Sequence, residues 1–202
     1  MLLTLAIGGT VDAATFTAVA SGDWSSSATW AGGIAPGSTI NADDQIIIGS
    51  AFNVNLDSDI TLNGFNPLIP GGSITVDGVL TSTNNSTLFM NNGDLDGSGD
   101  INIDRIRFSG LSTINFAGTA NVATMITTNS SLVLGTAVAV TDSLILEAGA
   151  LSLGSSAAIN LQNNATILVM NGSLSSQGGL LSSVSTYNVS YQGTSKNAGM
   201  EA

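Results

Sequence analysis

Pairs of aliphatic residues two positions apart recur through this chain in a fixed order, and the length of the recurrence admits few folds. Leu132/Leu134, Val138/Val140 and Leu144/Leu146 are followed by Leu151/Leu153, Ile159/Leu161 and Ile167/Val169, at offsets of 19, 21 and 23 residues. Apolar residues at alternate positions, punctuated by Gly, Asn, Ser and Asp, read as short strands. The same rhythm starts near Gln45 with "IIIG", "FNVNL", "ITL" and "ITV", and no window carries a helical stripe. Three short strands per repeat suit a three-sided parallel β-solenoid, in which each strand stacks on its counterpart ~4.8 Å away in the next coil. An antiparallel sandwich also spaces short strands regularly, but a triple-strand period is not a hairpin rhythm. The expected fold is all-β: a right-handed parallel β-helix of about seven coils over residues 43–202, a rod roughly 34 Å long.

In that fold Leu132, Leu134, Val140, Leu146, Leu153, Ile159, Leu161 and Ile167 point into the bore, with Ser, Thr and Asn outward. Corners require positive φ, which Gly and Asn tolerate. The segments "TNNST" (83–87), "MNNG" (90–93) and "QNNA" (162–165) are therefore expected at corners, where their amides can stack from coil to coil.

A solenoid exposes its apolar bore at each end, and an uncovered end is a template for another chain. Both tryptophans, Trp24 and Trp30, lie in "SGDWSSSATW", just before the first regular coil. With Phe16 before them and the turn "APG" (35–37) after, they are expected to cap the bore, so that 14–42 forms an N-terminal cap. The alternative is an exposed aromatic platform for stacking sugar rings.

Only 8% of the 202 residues are charged, and 14 acids against three bases give a net charge of −11. That balance gives no attraction to phosphate backbones or anionic lipid, so nucleic acid is a poor partner. The chain has no cysteine and no histidine. It thus lacks thiolate chemistry, the usual general base near neutral pH and the commonest transition-metal ligand. The start, "MLLTLAIGGTVDA", has an apolar run from Leu2 to Ile7, with Val11 and Ala13 placed for cleavage before Ala14. Residues 1–13 therefore read as the remnant of a secretory signal lacking its basic region, the alternative being a buried N-terminal strand. No later stretch has the ~18 consecutive apolar residues of a membrane span, so membrane insertion of the mature domain is not expected.

The segment "ATFTAVASGDWSSSATWAGGIAPGSTINADDQIII" (14–48) resembles the opening of secreted β-helix repeat proteins of Bacteroidetes-type bacteria. The matching pattern is SG-D/N-W, small residues, ATW, a Gly-rich turn with Pro, then the acidic pair Asp43–Asp44 before a strand. "TYNVSYQGTSKNAGMEA" (186–202) resembles the late part of the same region. The resemblance implies export, a right-handed parallel β-helix, and adhesion or surface display. Such proteins commonly end in a type IX secretion sorting domain, which is not visible here, so a longer parent chain or another export route is expected.

Candidate chemistry is sparse. In "DLDGSGDINID" (94–104) Asp94, Asp96, Ser98 and Asp100 fall at alternate positions with Gly99 between, a spacing that suits calcium. The register then fails, because Arg105 stands where the bidentate acid belongs, and a sharp corner accounts for the same letters. Asp57 and Asp59 share a strand face and could converge as a glycosidase pair, or be solvated corner residues. Arg105 and Arg107 lie on one side of a strand, suited to pairing with Asp100 or Asp104. Glycosylation triplets such as Asp142-Ser143-Leu144, and those beginning at Asn129 and Asn188, carry little weight in a Ser/Thr/Asn-rich chain. Two readings of function follow. The first is a non-enzymatic, exported structural or adhesive module of a bacterial cell surface, with no catalytic residues, metal or cofactor, whose partners are extracellular glycans or surface components. The second is a carbohydrate-active β-helix enzyme or binding accessory, using Trp24 or Trp30 and acids between 57 and 104.

Overall fold

The computed structural model describes residues 13–42, 44–64, 68–183 and 186–192. The signal-like residues 1–12, Asp43 and the 193–202 segment lie outside them. Stacked parallel strands form a β-solenoid of about seven turns, and no α-helix occurs among the described residues.

Each turn visits three faces. The first face stacks Gly22–Asp23, Asn53–Leu56, Ser73–Val76 and Leu95–Gly97, then the latter parts of the long strands Asp100–Phe116, Ala120–Leu134, Ala137–Leu153 and Thr166–Ser176. The second stacks Thr39–Ile40, Ile60–Asn63 and Val79–Thr83, the starts of the first three long strands, then Ala158–Leu161 and Leu180–Ser183. The third pairs Thr15–Thr17 with Gln45–Ile47. Further along, it stacks Leu68–Pro70, Thr87–Asn91, the middles of the first three long strands, the start of Thr166–Ser176, and Asn188–Tyr191.

The register follows the aliphatic period read from the sequence. Leu132 sits beside Leu151, Leu134 beside Leu153, Val138 beside Ile159, Val140 beside Leu161, Leu144 beside Ile167 and Leu146 beside Val169. All eight residues expected to point inward are fully buried. One inward column runs Val54, Ile74, Leu95, Ile114, Leu134, Leu153, and another runs Leu88, Ile106, Met125, Leu144, Ile167. Register cannot slip by one residue without turning a whole column out to water. The pattern has exceptions: Ser112, Thr127 and Ser130 are buried with hydroxyls that find no partner, whereas Leu111 is 70% exposed.

Corners follow backbone chemistry. Among the described residues, the non-glycine residues with positive φ are Asn84, Asn85, Asn92 and Asn164, at 58° to 63°, and all four belong to the three Asn-rich segments. Between the first and second faces, Gly78, Gly99 and Gly118 stack one above another. A Cβ on Gly99 would strike the carbonyl of Gly78, and one on Gly118 the carbonyl of Gly99. Coil-to-coil spacing there leaves no room for a side chain.

The ladder begins earlier than the alternating pattern indicates. Strands Thr15–Thr17, Gly22–Asp23 and Thr39–Ile40 pair with Gln45–Ile47, Asn53–Leu56 and Ile60–Asn63 of the following coil, so the segment 14–42 contributes a turn of the ladder of its own. Two- and three-residue strands are too short to display a period. The irregular part lies in 24–38, where two 3₁₀ turns, Ser27–Thr29 and Ala31–Gly33, carry the chain across the end of the bore.

Candidate functional site

Trp24 and Trp30 are 4% and 2% exposed. Their rings meet edge to face, 5.2 Å between centroids, and Phe16 meets Trp30 the same way at 6.5 Å. The Trp30 indole Nε1–H donates to the Trp24 carbonyl at 2.8 Å and that of Trp24 to the Gly37 carbonyl at 3.1 Å. Trp24 faces Ile46, Leu56 and Ile60 of the first coils. Rings so enclosed offer no face to a sugar, which removes the platform expected as the alternative.

Two carboxylates fasten this end. Asp44 accepts hydrogen bonds from the Ala14 N–H at 2.9 Å, the Asn41 N–H at 2.9 Å and the Asn41 amide at 3.2 Å. Burial by itself raises the Asp44 pKa; the bonds from Ala14 and Asn41 outweigh it and hold the pKa below the ordinary carboxylate value. Asp57 accepts from the Ser25 hydroxyl at 2.5 Å and the Ser25 N–H at 3.0 Å, and the hydroxyl bond is the main reason its pKa is also low.

The other candidate acids are spent in the same way. Asp59 accepts from the Val79 N–H at 3.0 Å, one coil further on, whereas Asp57 reaches back to Ser25. The two point in opposite directions along the axis and do not converge. Asp94 accepts from the Thr113 N–H at 2.8 Å, Asp96 from the Thr75 hydroxyl at 2.7 Å, and Asp100 from the Thr119 N–H and hydroxyl, each at 2.7 Å. The Thr119 N–H, followed by its hydroxyl, lowers the Asp100 pKa. Residues 95–97 form a strand of the first face, and Asp100 begins the next strand around the corner, so a calcium-binding loop is not adopted. No group of three or more metal-ligating side chains gathers among the described residues.

Arg107 pairs with neither Asp100 nor Asp104. Its Nη2 meets the Glu147 Oε2 at 2.8 Å, two coils on, its Nε donates to the Thr128 hydroxyl at 3.1 Å, and its guanidinium lies 6.0 Å from the Phe89 ring centre. Parallel stacking brings same-face residues of neighbouring coils closer than sequence neighbours on one extended strand.

A site not foreseen from the sequence lies on the corner between the second and third faces. There the chain leaves the ladder at 84–86 and at 162–165, whereas strands Asp100–Phe116, Ala120–Leu134 and Ala137–Leu153 turn the corner without a break. Along these unbroken turns lies a depression of about 290 Å³, lined by Ser82, Asn102, Asp104, Asn121 and Thr141 around Val122 and Ala123. The Asp104 N–H donates to the Ser82 hydroxyl at 2.6 Å, and the Asn121 side-chain amide Nδ2 donates to the Asn102 side-chain Oδ1 at 2.8 Å. The missed signal was a shortening: Leu88 follows Ser82 and Ile167 follows Leu161 by six positions, but Ile106 follows Ile103 and Met125 follows Val122 by only three. No family model, no curated protein and no solved structure matches this chain.

Proposed function

We propose that this protein is a non-enzymatic, exported structural and adhesive β-helix module of a bacterial cell surface, akin to the secreted repeat proteins that its 14–48 segment resembles. The reading is carried chiefly by the outward columns, whose small neutral side chains bond coil to coil. Thr61 meets Thr81 at 3.1 Å, Asn121 meets Asn102 at 2.8 Å, Ser152 meets Ser175 at 3.0 Å and Ser182 meets Asn160 at 2.5 Å. Such a surface is a stiff, hydrogen-bonding rod suited to many weak polar contacts with extracellular glycans or surface components. The charge of −11 disfavours nucleic acid. The carboxylates with shifted pKa values are held low, the opposite of what a general acid needs. The enzyme reading also loses its tryptophan platform, and no cofactor is invoked.

Antibody against the purified chain tests the reading. It should label intact, unpermeabilised cells, and beads coated with the protein should adhere to glycan-covered surfaces. Recovery of the protein solely with cytosolic markers overturns export, and turnover of a polysaccharide by the purified chain overturns the non-enzymatic assignment.

A further inference from the structure

We infer that the depression on the corner between the second and third faces binds a neutral saccharide residue of a longer glycan. The inference deepens the adhesive reading and rests on it for where such a glycan is met.

The chemistry begins with one anomalous carboxylate. Asp23, Asp44, Asp57, Asp59, Asp77, Asp94, Asp96, Asp100, Asp142 and Glu147 each accept a hydrogen bond from another described residue. Asp104 alone among the described acids accepts none, and it is half-buried in the wall of the depression. Its backbone N–H is tied to Ser82, so the residue is held in place while its oxygens stay open. Beside it, the Asn121–Asn102 bond uses one donor and one acceptor, which leaves the Asn102 amide N–H₂ as a donor and the Asn121 carbonyl as an acceptor. Thr141 adds a hydroxyl on the next coil.

A carboxylate, an amide donor, an amide acceptor and a hydroxyl on successive rungs match vicinal hydroxyls, each of which donates one hydrogen bond and accepts others. Ala123, half-buried at the corner, supplies apolar surface for the C–H face of a pyranose ring, over Val122, which is buried in the bore. The volume of about 290 Å³ lies near the lower end of small-ligand sites. The corner residues at 84–86 and 162–165 stand at the two ends of the depression along the rod, which leaves it open sideways for a polymer to cross. An acidic sugar would set its carboxylate against Asp104 and a chain of net charge −11, so the ligand is neutral.

Saturation-transfer NMR and titration calorimetry on the whole chain provide the test, with cellohexaose, maltohexaose, mannohexaose, xylohexaose and, as the acidic arm, hexagalacturonate. At least one neutral hexasaccharide should bind. Asp104→Ala should weaken it by ~10-fold or more through loss of a charge-assisted hydrogen bond, and Thr141→Arg, at an exposed position, should fill the depression and abolish binding. Thr141→Arg carries the test if Asp104→Ala folds poorly. Absence of binding by all four neutral sugars, preference for hexagalacturonate, or binding untouched by both substitutions overturns the inference. Because the purified chain is used, failure here is distinguishable from failure of the export reading, which depends on where the cell places the protein.

Discussion

The two halves of the rod are held together differently. Through Asn91 the strands are two to five residues long and broken by Asn, Gly and Asp corners, whereas Asp100–Phe116, Ala120–Leu134 and Ala137–Leu153 run for 17, 15 and 17 residues. In the first half, corner N–H groups that fall outside the ladder are taken up by side chains of a neighbouring coil: Ser25 by Asp57, Asn53 by Ser21, and Val79 by Asp59. In the second half the strands pass through the corners; the N–H groups of Asp104, Leu111 and Thr113 still go to side chains of the preceding coil, but among the described residues of Ala120–Leu134 and Ala137–Leu153 no such bond occurs. Buried or half-buried backbone donors need partners in either case. The acids concentrated before residue 105 are therefore stapling residues first, and a free one is worth notice.

The halves should differ most at the capped end. Trp30→Ala should cost ~3–5 kcal/mol, because it removes the widest side chain of a packed aromatic layer. It should also produce concentration-dependent association in sedimentation, since the opened bore is apolar. Leu132→Ala, inside the second half, should cost ~2–5 kcal/mol in chemical denaturation without promoting association, because its cavity stays enclosed.

Asp44→Asn should destabilise by ~1–3 kcal/mol through its charge-assisted bonds to Ala14 and Asn41. Acid acts at the same place. The folded-state pKa of Asp44 lies below the ordinary 3.8, so the stability it contributes is whole above that value and is lost as pH falls through it toward the folded-state value. Amide exchange at decreasing pH, corrected for intrinsic rates, should show the segment 14–42 losing protection before the coils around Leu132 and Leu151. Simultaneous loss would remove the distinction between the halves.

The smallest effect has the opposite sign. Thr127→Val replaces a buried hydroxyl that has no partner with a methyl group of similar size, and should raise stability by about 1 kcal/mol. A loss instead would mean that the Thr127 hydroxyl is satisfied in solution by an internal water.

The parts legible in advance were those governed by periodicity. The pairing of Leu132 with Leu151 and of Val140 with Leu161 could be read off because side chains alternate strictly along a strand and identical faces stack. The Asn corners were legible because few residues tolerate positive φ. Strands Gly22–Asp23 and Thr39–Ile40 were not, since two residues display no period. Thr127 was not either: an inward column accepted a hydroxyl between Phe108 and Leu146, a choice made by the space between three coils.

The chain by itself determined that this is a parallel β-solenoid, where its core columns run and where many of its corners fall, because strand period and backbone φ are properties of a few adjacent residues repeated many times. Tertiary structure alone decided what the charges do. Asp57 reaches back one coil, Asp59 forward one, Arg107 two coils to Glu147, and Asp104 is left open beside Asn102 and Asn121. Those partners lie some twenty to forty residues away in sequence but one or two rungs away along the axis, and only the stacking of coils brings them within reach of a hydrogen bond.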